Sequence, residues 1–86
     1  MINESIVIGN EYDEKLIKLL FLTLQEIGAV KKDESSALAG SQDYYLARYE
    51  VNNLILTVEI ETYIGVKLSG PPDIVKEISN KLKSKP

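Results

Sequence analysis

Residues 44–61 read Tyr-Tyr-Leu-Ala-Arg-Tyr-Glu-Val-Asn-Asn-Leu-Ile-Leu-Thr-Val-Glu-Ile-Glu. In the first half Tyr45, Ala47, Tyr49 and Val51 recur at every second position, and in the second half Leu54, Leu56, Val58 and Ile60 do the same. That is the period of a strand with one buried face. Between them stand Asn52 and Asn53. Asparagine accepts positive φ more readily than other non-glycine residues, so the pair suits a primed two-residue hairpin turn. A loop of that length sets Val51 opposite Leu54, Tyr49 opposite Leu56, Ala47 opposite Val58 and Tyr45 opposite Ile60. Both apolar sets then share one side of the ribbon, whereas a slip of one residue would put all of them in water.

Downstream, Thr62, Ile64, Val66 and Leu68 keep the parity of the second strand. The segment is either one long bent strand or a second hairpin. Strands usually run about 3–10 residues, which favours a three-residue turn at Glu61-Thr62-Tyr63. That turn pairs Ile60 with Ile64, Val58 with Val66 and Leu56 with Leu68. Gly70-Pro71-Pro72-Asp73 then ends the sheet and opens a helix, since proline's missing N–H is not needed in a first turn. Ile74, Val75, Ile78 and Leu82 mark its buried stripe, with Lys76, Glu77, Lys81 and Lys83 outside; Ser84 to Pro86 are expected to fray.

Upstream, Ile2, Ile6, Val7 and Ile8 form a short β-prone opening closed by Gly9-Asn10. Asn10 is placed to cap a helix over Glu11–Ile27, with Glu11, Asp13 and Glu14 in its first turn and Gly28 as a left-handed stop. Tyr12, Leu16, Leu19, Leu20, Leu24 and Ile27 supply the helical period. Ile17, Phe21 and Leu22 widen the apolar stripe beyond what one face needs. Either sheet and second helix cover this surplus together, or part of it meets another chain, which makes a homodimer through Ile17, Phe21 and Leu22 one expectation. Ala29–Lys32 is a candidate edge strand, and Asp33–Gln42, small and polar with Gly40, reads as a surface loop.

These elements describe one 86-residue domain of class α+β. It is a two-layer sandwich in the order β-α-β-β-β-α, an antiparallel meander covered on one face by two helices. Both helices are expected on the face made by Tyr45, Tyr49, Leu56, Val58, Ile60, Val66 and Leu68.

The chain has no Cys, His or Trp. Thiol and imidazole chemistry, disulfides and the usual zinc sites are therefore out of reach, and a metal would need oxygen ligands alone. No metal and no cofactor is expected. Residues 2–8 are too short and, at Glu4, too acidic for a signal peptide, and no apolar run has the length of a membrane span, so a cytoplasmic protein is expected. The net charge of -3 is unevenly spread. Residues 1–65 carry eleven acids and five bases, whereas residues 66–86 carry two acids and five lysines.

The hairpin register fixes the outward side chains. Arg48 falls opposite Thr57, Thr57 opposite Lys67, and Glu59 lies diagonal to both cations, the pattern of a cross-strand ion network. Glu59 and Glu61 project to one side of one strand, where they could chelate a cation or share a proton, although two carboxylates without a third ligand are a sparse site. Tyr44, Leu46, Ile55 and Tyr63 share this face with the charges. Such a mixture of aromatic, aliphatic and acidic groups suits protein contact. Phosphate loops, nucleophile elbows and metalloprotease helices do not occur in the sequence, and no enzyme is expected.

Two functions follow. One is a small acidic, non-catalytic protein-binding module of the inhibitor, immunity or regulatory-adaptor kind, docking a basic partner through Tyr44, Arg48, Glu50, Glu59, Glu61 and Tyr63. The other rests on layout: helix, three antiparallel strands and helix resembles the arrangement of double-stranded-RNA-binding domains, with Lys76, Lys81 and Lys83 as the nucleic-acid contacts. The start of the last helix lacks the basic cluster that phosphates would need, and the overall charge is negative, so nucleic acid is the less favoured partner.

Overall fold

The structure, a computed structural model, describes residues 3–39 and 42–84. Its elements are β1 (Glu4–Gly9), α1 (Glu14–Glu26), β2 (Val30–Ala39), β3 (Gln42–Val51), β4 (Leu54–Glu61), β5 (Gly65–Gly70) and α2 (Pro72–Ser84). The strands form one antiparallel sheet in the order β1-β5-β4-β3-β2. Four consecutive strands make the meander, β1 adds beyond β5, and α1 carries the chain from one edge of the sheet to the other. The α+β sandwich expected from the sequence is present, with one more meander strand.

The central hairpin has the expected register at every pair from Val51↔Leu54 to Tyr45↔Ile60. Asn52 and Asn53 take φ of 51° and 66°, the left-handed pair of a type I′ turn, whose twist matches that of the flanking strands. Ala47, Tyr49, Val51, Leu56 and Val58 are buried and join Val66 and Leu68 of β5 in the core. Leu20 and Leu24 of α1 and Ile74, Val75 and Ile78 of α2 complete it, with Leu82 packed at its margin. Both helices lie on that one face.

Helix α1 begins later than the sequence suggested. Asp13, not Asn10, is its N-cap, accepting a hydrogen bond from the Leu16 N–H at 3.0 Å. Asn10 instead closes a local turn by accepting from the Tyr12 N–H at 2.7 Å. The two side chains serve different donors, Asn10 the Tyr12 N–H and Asp13 the Leu16 N–H, so Asn10 shapes the turn that leads into the helix and Asp13 caps it. The C-terminus stops at Gly28, φ 77°, as expected. Gly28 N–H donates to the Gln25 carbonyl and Ala29 N–H to the Leu24 carbonyl, the two bonds of a Schellman cap. Of the surplus apolar residues, Ile17 and Phe21 pack at the rim of the core, whereas Leu22 remains 52% exposed.

Two expectations are corrected. Asp33–Gln42 is not a loop in its described part: β2 runs ten residues and pairs with β3 from Val30↔Glu50 to Ala39↔Gln42, with an irregularity between Lys31 and Asp33. Residues 40 and 41 lie outside the described part. The strand was hidden because residues 30–37 are exposed, so no apolar alternation marks them. Pairing with β3 and cross-strand ion pairs hold it instead. The second correction is the β4–β5 turn. The sheet pairs Glu61 with Gly65, Ile60 with Val66 and Val58 with Leu68, two residues away from the expected register. The turn residues are Thr62-Tyr63-Ile64, with Tyr63 at φ 73° and Gly65 at φ 112°. A shift of two leaves the buried face unchanged but alters every outward neighbour.

Candidate functional site

With both helices on one side, the other side of the sheet carries Tyr44, Arg48, Glu50, Glu59 and Glu61 of the residues singled out above. Their order follows from the strand registers. One row across the sheet runs Asp33, Arg48, Thr57, Ser69 and Ser5; the next runs Ser35, Leu46, Glu59, Lys67 and Val7. Beyond these lie Ala37, Tyr44 and Glu61 at one end and Val30, Glu50 and Ile55 at the other. The expected Thr57–Lys67 pairing is corrected: Ser69 faces Thr57, and Lys67 falls directly opposite Glu59.

This puts Glu59 at the centre of the charges. Its Oε1 lies 3.6 Å from Lys67 Nζ, and its Oε2 accepts a hydrogen bond from the Tyr44 hydroxyl at 3.0 Å. Burial first, and the bond to Glu59 second, raise the Tyr44 pKa, so the hydroxyl stays protonated and donating at neutral pH. Arg48 pairs with Asp33 and Lys32 with Glu50, each at 3.1 Å. With the carboxylate of Glu59 already occupied, the structure favours an ion network over the chelating or proton-sharing pair with Glu61. Among the described residues no group of three or more acids is gathered closely enough to hold a metal.

Apolar side chains interrupt these pairs. Val7, Val30 and Ile55 are 55%, 56% and 47% exposed on this face, and Leu46 is half-buried. Tyr63, expected with them, sits instead at the tip of the β4–β5 turn, 76% exposed. Its backbone N–H donates to Glu11 Oε2 at 2.6 Å, while Thr62 Oγ1 accepts from the Asp43 N–H at 2.9 Å. Two segments remote in sequence thus pin the turn. Nothing in the sequence pairs Glu11 with Tyr63, because a carboxylate bound to a backbone donor leaves no side-chain pattern.

The same end holds a cleft of about 530 Å³ that sequence reasoning missed, walled by Glu11, Tyr12, Asp43, Tyr44, Tyr45 and Ile60 among others. Beside it the Tyr45 hydroxyl donates to Glu34 Oε2 at 2.6 Å, and Lys31 Nζ to the same oxygen at 3.1 Å. Burial and then this bond push the Tyr45 phenol far up, and Tyr45, followed by Lys31, holds the Glu34 carboxyl below the usual glutamate range. A carboxyl depressed on folding stabilises the fold above its unfolded pKa and loses that contribution as pH falls through its folded value. Tyr45→Phe is therefore expected to raise the Glu34 midpoint, followed by side-chain carbonyl chemical shift against pH. An unmoved midpoint would show that the phenol is not the donor.

The nucleic-acid alternative fares differently. Lys76 and Lys83 stand seven residues apart on one line of α2, but Lys81 points about 140° away at 100° per residue. Glu77 lies between these directions. The three lysines do not make one stripe. The layout also departs from helix, three strands and helix, since four strands, β2 to β5, separate the two helices. Compared with family models, curated proteins and solved structures, the chain matches none of them. No helix among the described residues is long and apolar enough to cross a membrane.

Proposed function

We infer that the protein is a small, non-catalytic, cytoplasmic protein-binding module that docks a partner on the helix-free face of its sheet. The observation that carries this reading is the interleaving of half-exposed Val7, Val30, Ile55 and Leu46 with charges that already hold one another in place. Protein interfaces combine such apolar anchors with a polar surround. A partner can cover the anchors while each charge keeps its ion pair, which limits both the desolvation cost and the ordering cost of binding. Toward the Tyr44 end the balance turns acidic, since Glu61 makes no ion pair among the described residues and Glu11 and Asp43 lie beside it. That end suits a basic partner and speeds the encounter.

The test is affinity capture from the source cell with three baits: the wild-type chain, the face variant Tyr44→Ala/Ile55→Glu, and the helix variant Leu22→Glu. A protein retained by the first and third but not the second is expected, and its affinity for the face variant should fall by at least about 30-fold, the scale of an interface hot spot. Equal retention by wild type and face variant would overturn the reading. So would salt-sensitive retention of nucleic acid that disappears with Lys76→Glu/Lys81→Glu/Lys83→Glu.

A further inference from the structure

We propose that the free edge of β1, together with the flank of α2, forms a groove that takes an extended segment of another protein as a sixth strand, with an apolar side chain seated between β1 and α2 and an acidic side chain meeting Lys83. This goes beyond the sheet-face reading and uses a different surface.

Three observations carry it. First, β1 ends the sheet, so among the described residues alternate N–H and C=O groups along it have no strand to pair with, and an added strand satisfies them. Its pairing with β5 is regular from Glu4 to Val7, the shift being confined to the step from Val7 to Gly9. Second, the edge is flanked by room for side chains. Two hollows, of about 350 and 490 Å³, lie between β1 and α2 and share Ile6, Ser79 and Lys83 in their walls. They follow β1 from Glu4 to Ile8, room for about five extended residues at 3.3 Å each. Ile8, Leu16 and Leu82 make one end apolar. Third, the charge is directional. Among the described residues Lys83 is the only charged one lining that apolar end, whereas Glu4, Asp73 and Lys76 meet at the other.

These features select the occupant. The apolar end beside Lys83 selects a segment that carries an acid next to an apolar residue; a second copy paired antiparallel through β1 is the competing occupant, since it would set Lys83 of each copy against Glu4, Asp73 and Lys76 of the other, and a concentration-dependent dimer by light scattering would overturn the proposal. The opposite edge, β2, is less suited: Lys31, Lys32, Asp33 and Glu34 stand in a row there beside an irregularity in the pairing, and both features blunt an edge against strand addition. Alternation of side chains in an added strand also explains how the groove would discriminate. Every second residue of the guest enters the hollow, and the residues between face the open side of the sheet.

The experiment uses the full chain to pan a phage library of random linear decapeptides, followed by fluorescence polarisation with the best enriched peptide. Expected are peptides with alternating apolar residues flanked by Glu or Asp. Lys83→Glu should weaken binding by about tenfold or more, and exchanging the peptide's acid for lysine should restore affinity to Lys83→Glu. Ser79→Trp, which fills the shared wall, should abolish it, with circular dichroism confirming that the variant is folded. Amide shifts on binding should fall on β1 and α2. Ile55→Glu should leave peptide affinity unchanged, which separates failure of this proposal from failure of the sheet-face reading. A library that enriches no such peptide, binding indifferent to Lys83→Glu, or shifts mapped to β3 and β4 would each overturn it.

Discussion

Leu56→Ala is expected to destabilise the domain by about 2–5 kcal/mol, the range for removing a buried leucine side chain from a packed core. Leu56 is fully buried on β4 opposite Tyr49, and its Cδ1 lies 3.3 Å from the position that a Cβ on Gly70 of β5 would take. It is therefore enclosed by both neighbouring strands and by the helices above, and the surroundings have little freedom to collapse into the space left behind. A domain of this size has only about 4–13 kcal/mol of stability in total, so the variant stands near the edge of folding. Urea unfolding followed by circular dichroism should show a lower midpoint with an unchanged slope, the mark of lost stability without a changed denatured state. Ile55 is the control. It is the adjacent residue, of similar volume, but it is 47% exposed on the opposite face. Ile55→Ala should cost less than about 1 kcal/mol. Equal losses at the two positions would mean that the faces of the ribbon are assigned wrongly.

That contrast was legible in the sequence because the hairpin is specified twice. The alternation names the face, and Asn52-Asn53 names the loop length, and the two agree only in one register. The Gly28 cap and the α2 core stripe were legible for the same reason: a local signal coincides with a periodic one. β2 was not legible. Residues 30–37 meet water on both faces, so the driving force for the strand lies in partners on β3, and no period records it. The β4–β5 turn was misplaced because parity alone cannot separate registers that differ by two, and the arbiter, Glu11 bound to the Tyr63 N–H, is 52 residues away in sequence. The candidate face inherited these limits. Tyr44, Arg48, Glu50, Glu59 and Glu61 fall on the surface expected of them, since β3 and β4 were placed correctly. The pairing of Glu59 with Lys67 depended on the turn, and that of Arg48 with Asp33 on the missed strand.

Gly65→Ala is expected to cost about 3–5 kcal/mol, combining backbone strain with an overpacked contact. Gly65 has φ 112°, farther into the positive region than the left-handed conformation that asparagine tolerates. A Cβ there would also run into the carbonyl oxygen of Gly9 on β1, and a backbone atom cannot rotate out of the way as a side chain can. Gly28→Ala separates the two contributions. Gly28 has φ 77°, but a Cβ built on it meets no heavy atom within 4 Å, so alanine there pays conformational strain alone, about 1–2 kcal/mol. The excess at Gly65 measures how closely β1 approaches the turn. Because the collision is with β1, the damage should appear first as faster amide exchange in Ser5–Ile8, ahead of β3 and β4. If Gly65→Ala and Gly28→Ala cost the same, Gly65 does not meet β1. The turn would then belong one residue earlier, with Ile60 facing Ile64, and cross-strand nuclear Overhauser effects between those two side chains would show it.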